Sequence, residues 1–195
     1  MEQDGDMKEE EHGKRGKAVR ESVSFILYLI VIVVLTFLMI RYVGQRTRVD
    51  GSSMENTLTN GDNLIVDKIS YRFHEPERFD IIVFPYQYKE DTYFIKRIIG
   101  MPGETVQIKD NDIYINGNKI DDPYAKDEMV SAGDAQEPIK LGDDEYFVLG
   151  DHRSVSLDSR FSEEDDPKGP GPVKRENIAG KVFVRIWPLS KFGKP

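Results

Sequence analysis

Hydrophobic and polar positions follow two regimes along this chain. Residues 22–40, SVSFILYLIVIVVLTFLMI, form one uncharged apolar run between Glu21 and Arg41. As a helix the run reaches roughly 28 Å, close to the ~30 Å hydrocarbon core of a bilayer. A buried core helix is usually shorter and amphipathic. A cleaved leader has a shorter apolar region ending in small residues, whereas RYVGQRTR follows here. The expectation is an uncleaved transmembrane anchor over 22–43. Residues 1–21 are polar and charged without an apolar period, so they are expected to be a mostly disordered tail that turns helical near Ala18. Lys8, Lys14, Arg15, Lys17 and Arg20 precede the span, against Arg41, Arg46 and Arg48 just after it. The positive-inside bias puts the N-terminus in the cytoplasm and residues 44–195 outside it.

From residue 44 onward the apolar residues occur in short runs bounded by turn residues. DNLIVDKISY, FDIIVFPY, TYFIKRIIG, EYFVLGD and KVFVRIWPL each predict a strand, and ETVQIKDNDIYINGNKI predicts several joined by tight turns. Asn116-Gly117 is a hairpin signal. RFSEEDDPKGPGPVKRENI is too rich in proline, glycine and charge for anything but a loop. No repeat and no second long helix is visible, so residues 44–195 are expected to fold as one mainly antiparallel β domain.

Composition narrows the chemistry. The chain has no cysteine, which removes thiol nucleophiles, thiolate zinc sites and disulfides. A net charge of −8 argues against a general nucleic-acid binder. The three histidines are His12 in the tail, His74 in a polar turn and His152 beside Asp151. No HExxH zinc helix occurs, and neither a metal nor another cofactor is expected. A serine nucleophile in VDGSSMENTL would need a base. His152 is one option, although a histidine in a surface turn is the blander account.

Lysine is the other option. It serves as a base only when neutral, and lowering its pKa by about 3 units takes roughly 4 kcal/mol of burial. Most lysines lie in polar stretches. Lys96, in YFIKRII, has Tyr93, Phe94, Ile95, Ile98 and Ile99 around it. Strand alternation puts Phe94, Lys96 and Ile98 on one face and sends Arg97 to the other. The segment alone also fits a lysine snorkelling off an edge strand.

Read together, GSSMENTL, YFIKRIIGMPGE and GDHRSVSLDSR resemble, in order and spacing, the serine, lysine and C-terminal boxes of bacterial type I signal peptidases. The resemblance runs from about residue 22 through the closing ENIAGKVFVRIWPLSKFG. It implies a mainly β catalytic domain of the signal peptidase/LexA-like type and a serine-lysine dyad, with Ser53 as nucleophile and Lys96 as base. By the same resemblance Ser156 orients the lysine amine, and the Ser53 backbone N–H serves the oxyanion. Asp151, Arg153, Asp158 and Arg160 then brace the site. Because an arginine follows each aspartate by two residues, each pair reads as a clamp rather than an acid/base carboxylate. His152, Ser154 and Val155 depart from residues common in that family, and Gly51 stands where some members have a hydroxyl donor.

The implied substrate is a secreted preprotein, cut after small residues at −3 and −1 and held by β-augmentation. Val49, Met54, Val83 and Ile95 match pocket positions and serve equally well as plain core. The implied surroundings are a lipid bilayer, with no nucleic acid. Ser53 lies about a dozen residues past the span, so at ~3.5 Å per residue it stays near the interface. Two other readings compete. A LexA-type self-cleaving repressor lacks a membrane span, and a membrane-tethered non-catalytic β binding domain leaves the three boxes unexplained. Residues 122–145 carry no assignable chemistry.

Overall fold

The computed structural model describes residues 3–38, 44–162, 164–165 and 167–195. Its chain forms two compact units, residues 1–43 and 44–195. In the first, α1 (Gln3–Leu38) is one continuous helix. The expected tail is therefore helical over residues 3–21, which corrects the reading of it as mostly disordered there; residues 1–2 lie outside the described residues. The segment holds many good helix formers, Glu, Lys, Arg, Met and Ala, and no proline. Arg20–Phe37 is long and apolar enough to cross a membrane, and none of that window is buried against protein. The last part of the expected anchor, residues 39–43, lies outside the described residues.

The second unit is antiparallel β throughout. Its strands are β1 (Gly44–Arg48), β2 (Asn63–Asp67), β3 (Ile81–Pro85), β4 (Tyr93–Gly100), β5 (Thr105–Lys109), β6 (Asp112–Ile115), β7 (Asn118–Lys119), β8 (Ile139–Lys140), β9 (Glu145–Leu149), β10 (Val173–Lys174) and β11 (Gly180–Trp187). A seven-stranded sheet runs β1-β2-β11-β3-β4-β9-β10, and a four-stranded sheet runs β7-β6-β5-β8. Every expected strand is present. Three were not anticipated: β1, which is polar, and the two-residue strands β8 and β10, the latter inside the expected loop. Asn116 and Gly117 both take positive φ, 50° and 80°, as a tight β6–β7 hairpin requires.

Burial explains which runs alternate. β2, β5 and β6 alternate between half-buried and buried positions, because one face packs inward. Central β3 and β9 are buried on both faces and read as unbroken apolar runs. One cluster, including Tyr71, Ile82, Phe84, Ile98 and Val148, packs beside β3, β4 and β9. A second joins Val49, Met54, Leu58, Leu64, Val66, Ile81 and Val83. A third gathers Ile99, Val106, Ile108, Ile113, Phe147 and Leu149 between the two sheets. Each such side chain contributes roughly 1.5–3 kcal/mol on burial. Together they fix β4, the strand that carries the buried cations Lys96 and Arg97, between β3 and β9.

Candidate active site

The loop between β1 and β2 presents Ser53. Gly51 turns it with φ of 112°, a left-handed value that side chains disfavour. Buried Met54 and Leu58 anchor it to the core. Backbone bonds close it, from Leu58 N to Met54 O at 2.7 Å and from Val49 N to Asp62 O at 2.8 Å. Ser53 is half-buried at the mouth of a cleft.

Lys96 reaches the same point from β4. Its Nζ lies 2.7 Å from Ser53 Oγ, and the residue is only 3% exposed. Burial pulls its pKa down to about 8 from 10.5; the Asp158 and Asp151 carboxylates oppose that shift and the Arg160 guanidinium adds to it. An appreciable neutral fraction therefore exists near neutral pH, and in that form the serine hydroxyl donates to the nitrogen lone pair. The Phe94 ring lies 4.9 Å from Nζ and completes an apolar wall. His152 is turned to the backbone: its Nδ1 sits 3.2 Å from the carbonyl oxygen of Ser52. His74 is exposed in its turn. Among the described residues, no group of three or more His, Asp or Glu side chains could hold a metal ion.

Asp151, Arg153, Asp158 and Arg160 are all buried, and one expected pairing differs. Asp158 and Arg160 form the anticipated clamp, with Nε and Nη2 donating to the two carboxylate oxygens at 2.8 and 2.9 Å. Asp158 also accepts the Gly150 N–H at 3.0 Å. Asp151 pairs instead with Arg97, whose Nε and Nη2 donate to it at 2.8 and 2.7 Å. Arg153 turns away to the Gly150 carbonyl, at 2.9 Å, and to Asp122. The expected Asp151–Arg153 clamp is thus corrected: Arg97, on the opposite face of β4 from Lys96, needs a buried counter-ion, and Asp151 supplies it. Thr57 donates to Asp151 and accepts from Arg97, linking the serine loop to this pair. The Arg97 guanidinium stacks 3.6 Å over Tyr124.

Arg97 was legible as an arginine inside an apolar run, where a partner is obligatory; Thr57 and Tyr124 left no such signal. Ser156 is buried, and its Oγ has no hydrogen-bond partner among the described residues, so the expected bond to Lys96 is not formed. The Ser53 N–H likewise donates to no described group.

The cleft holds about 670 Å³. Val49, Met54, Val83 and Ile95 line it and also belong to, or pack against, one core cluster. Pocket floor and core are the same side chains. β4 pairs with β9 only from Arg97 onward, so Tyr93–Lys96 keep an unpaired backbone edge. β1 is the outermost strand of its sheet and has a second free edge.

Comparison with known proteins gives a consistent result. The family model described as signal peptidase, peptidase S26, matches residues 21–187. A probable signal peptidase I-2 of Synechocystis sp. is 40% identical over 159 residues, covering 78% of this chain and 67% of the relative. A signal peptidase I of Bacillus amyloliquefaciens is 34% identical over 195 residues, 95% of this chain and 97% of the relative. A solved signal peptidase I from Enterococcus faecalis V583 is 31% identical, with a TM-score of 0.45, over 56% of this chain and 97% of that one.

Proposed function

The chain belongs to the signal peptidase family, peptidase S26, and we propose that it removes signal peptides from secreted preproteins with a Ser53–Lys96 dyad. It is a hydrolase of the serine endopeptidase class. The reading of the dyad rests on one observation, a buried lysine amine 2.7 Å from a serine hydroxyl.

Neutral Lys96 takes the Ser53 proton as Oγ attacks the scissile carbonyl carbon, and the carbonyl oxygen becomes an oxyanion facing the Ser53 N–H. Collapse of this intermediate breaks the C–N bond, and the Lys96 ammonium protonates the leaving amine. Lys96, neutral again, deprotonates a water that attacks the acyl ester; the returned proton regenerates the Ser53 hydroxyl and frees the signal peptide's carboxylate. We assign the steadying of the lysine amine to the Ser156 hydroxyl, which is buried, has no hydrogen-bond partner among the described residues and makes no bond to Lys96 in this structure. Asp151, Arg153, Asp158 and Arg160 hold the loops around it. A non-catalytic tethered domain would have no use for a desolvated amine beside a serine.

The substrate is an extended segment that pairs with the free edge of β4. Val49, Met54, Val83 and Ile95 leave shallow apolar pockets that admit alanine and other small residues at −3 and −1. The apolar part of α1 serves as a single-pass anchor, with the N-terminus cytoplasmic and residues 44–195 outside. A secreted preprotein incubated with the full-length enzyme in detergent tests the dyad. Ser53→Ala and Lys96→Ala are each expected to abolish processing while leaving thermal unfolding cooperative. Processing by both variants at the wild-type rate rejects it.

A further inference from the structure

A second cluster of charged and titratable groups lies beside the nucleophile and takes no part in the proton transfers. It forms where the serine loop meets the segment from Asp122 to Asp127. Lys126 Nζ donates to Glu55 Oε2 at 2.9 Å, and this contact holds the Glu55 carboxyl below its ordinary range. His152 stands at the centre with its side chain 16% exposed. Its Nδ1 lies 3.6 Å from Glu55 Oε2 and its Nε2 lies 3.5 Å from Asp127 Oδ2. Asp127 in turn faces the Ser154 N–H at 3.4 Å, and Lys126 N donates to Asp151 O at 2.8 Å.

Two bonds from His152 reach the serine loop. The Ser52 carbonyl oxygen has no proton, so the ring nitrogen 3.2 Å away, Nδ1, must carry one and donate. The His152 backbone N–H donates to the Ser53 carbonyl at 3.1 Å. The Ser52 carbonyl and the Ser53 N–H belong to one planar peptide unit, and the Ser53 carbonyl belongs to the next. His152 therefore pins both peptide planes that flank the nucleophile. Fixing the first plane fixes the direction of the N–H that faces the oxyanion. Donation to its carbonyl also polarises the amide and strengthens that N–H as a donor.

We propose that His152 is a positioning residue for peptide cleavage: its imidazole holds the Ser52–Ser53 peptide unit so that the Ser53 N–H points at the developing oxyanion, while Asp127 and Glu55 hold the ring against the Asp122–Asp127 segment. This deepens the dyad reading and rests on it. The inference also gives the start of an otherwise unassigned segment a task, since its carboxylate and ammonium groups set where the ring sits.

The test uses the full-length enzyme in detergent with a cleavable preprotein, comparing His152→Phe, which keeps a flat ring and loses the donor, with His152→Asn, whose amide can still donate. His152→Phe is expected to lower kcat by about 10- to 100-fold, less than outright removal of an oxyanion donor, with KM within about twofold of wild type. His152→Asn is expected to recover most of that loss, and the pH midpoint set by Lys96 is expected to stay in place in both variants. Wild-type kcat in His152→Phe overturns the proposal, as does a loss that follows KM or Tm instead of kcat, or one that asparagine does not restore. Failure of the dyad itself would show elsewhere, as unimpaired processing by Ser53→Ala and Lys96→Ala.

Discussion

Lys96 and Arg97 are consecutive on β4, equally buried at 3% and 2% exposure, and chemically opposite in outcome. Arg97 has an acceptor at each guanidinium nitrogen: both Asp151 oxygens, the Phe79 carbonyl and Thr57 Oγ1. Lys96 has a hydroxyl and an aromatic ring, and no carboxylate in ion-pair contact among the described residues. One face of the strand keeps a permanent charge by surrounding it with acceptors. The other withholds them, and the amine gives up its proton more readily, at a pKa of about 8. Burial alone decides neither case; what each face offers the cation does.

Exchanging the two cations gives the largest expected effect. Lys96→Arg puts a group that cannot lose its proton beside Ser53, and the preprotein cleavage rate is expected to fall about 10³-fold or more. Measurable turnover near wild type would mean that the amine is no base. The next effect is on stability. Arg97→Met strips the counter-ion from fully buried Asp151, and urea unfolding is expected to show a loss of roughly 3–5 kcal/mol. A change within 1 kcal/mol, of order a surface substitution, would deny the contrast.

Lys96→Met should act in the opposite direction. Below pH 8 the lysine is charged in both the folded and unfolded states, so the folded state bears the full burial penalty. That penalty fades as pH rises from the folded value of about 8 to the unfolded value of 10.5. The inactive variant is thus expected to be more stable than wild type by about 3 kcal/mol at pH 7, with the gain vanishing above pH 10.5. A gain that does not change with pH would point to packing alone. The smallest effect concerns the rate profile. Cleavage should drop about tenfold per unit below pH 8. Because Asp158 favours the charged lysine, Asp158→Asn is expected to move that midpoint to lower pH. A midpoint moved upward would contradict the electrostatics.

Strands with a buried face announced themselves, since NLIVD, TVQIK and DIYI carry the alternation that burial requires. GQRTR did not, because β1 is an edge strand held by register with β2 and has no buried position of its own. Val173–Lys174 is too short for any period and exists only because β9 offers its edge. At the site, apolar neighbours on its own strand marked Lys96 as a candidate for desolvation, and only the resemblance of the three boxes favoured it over a lysine snorkelling off an edge strand. It could not identify the Asp151 partner: proximity in sequence favoured Arg153, while the fold brings Arg97 from 54 residues away. Ser156 shows the same limit, since the resemblance implied a bond to the lysine amine and the structure shows a buried hydroxyl without one.

Gly150 has a consequence for how the site responds to its surroundings. A Cβ there would fall on Ser156 Oγ and within 2.5 Å of the Ser53 carbonyl oxygen. Two loops from distant parts of the chain therefore abut with no room for one more carbon, and their separation is set by a hard steric stop. Such a stop does not soften with salt, acid or modest warming, as ionic attraction does. The reach from amine to hydroxyl can thus stay constant as salt and pH change, leaving protonation as the variable that the environment controls.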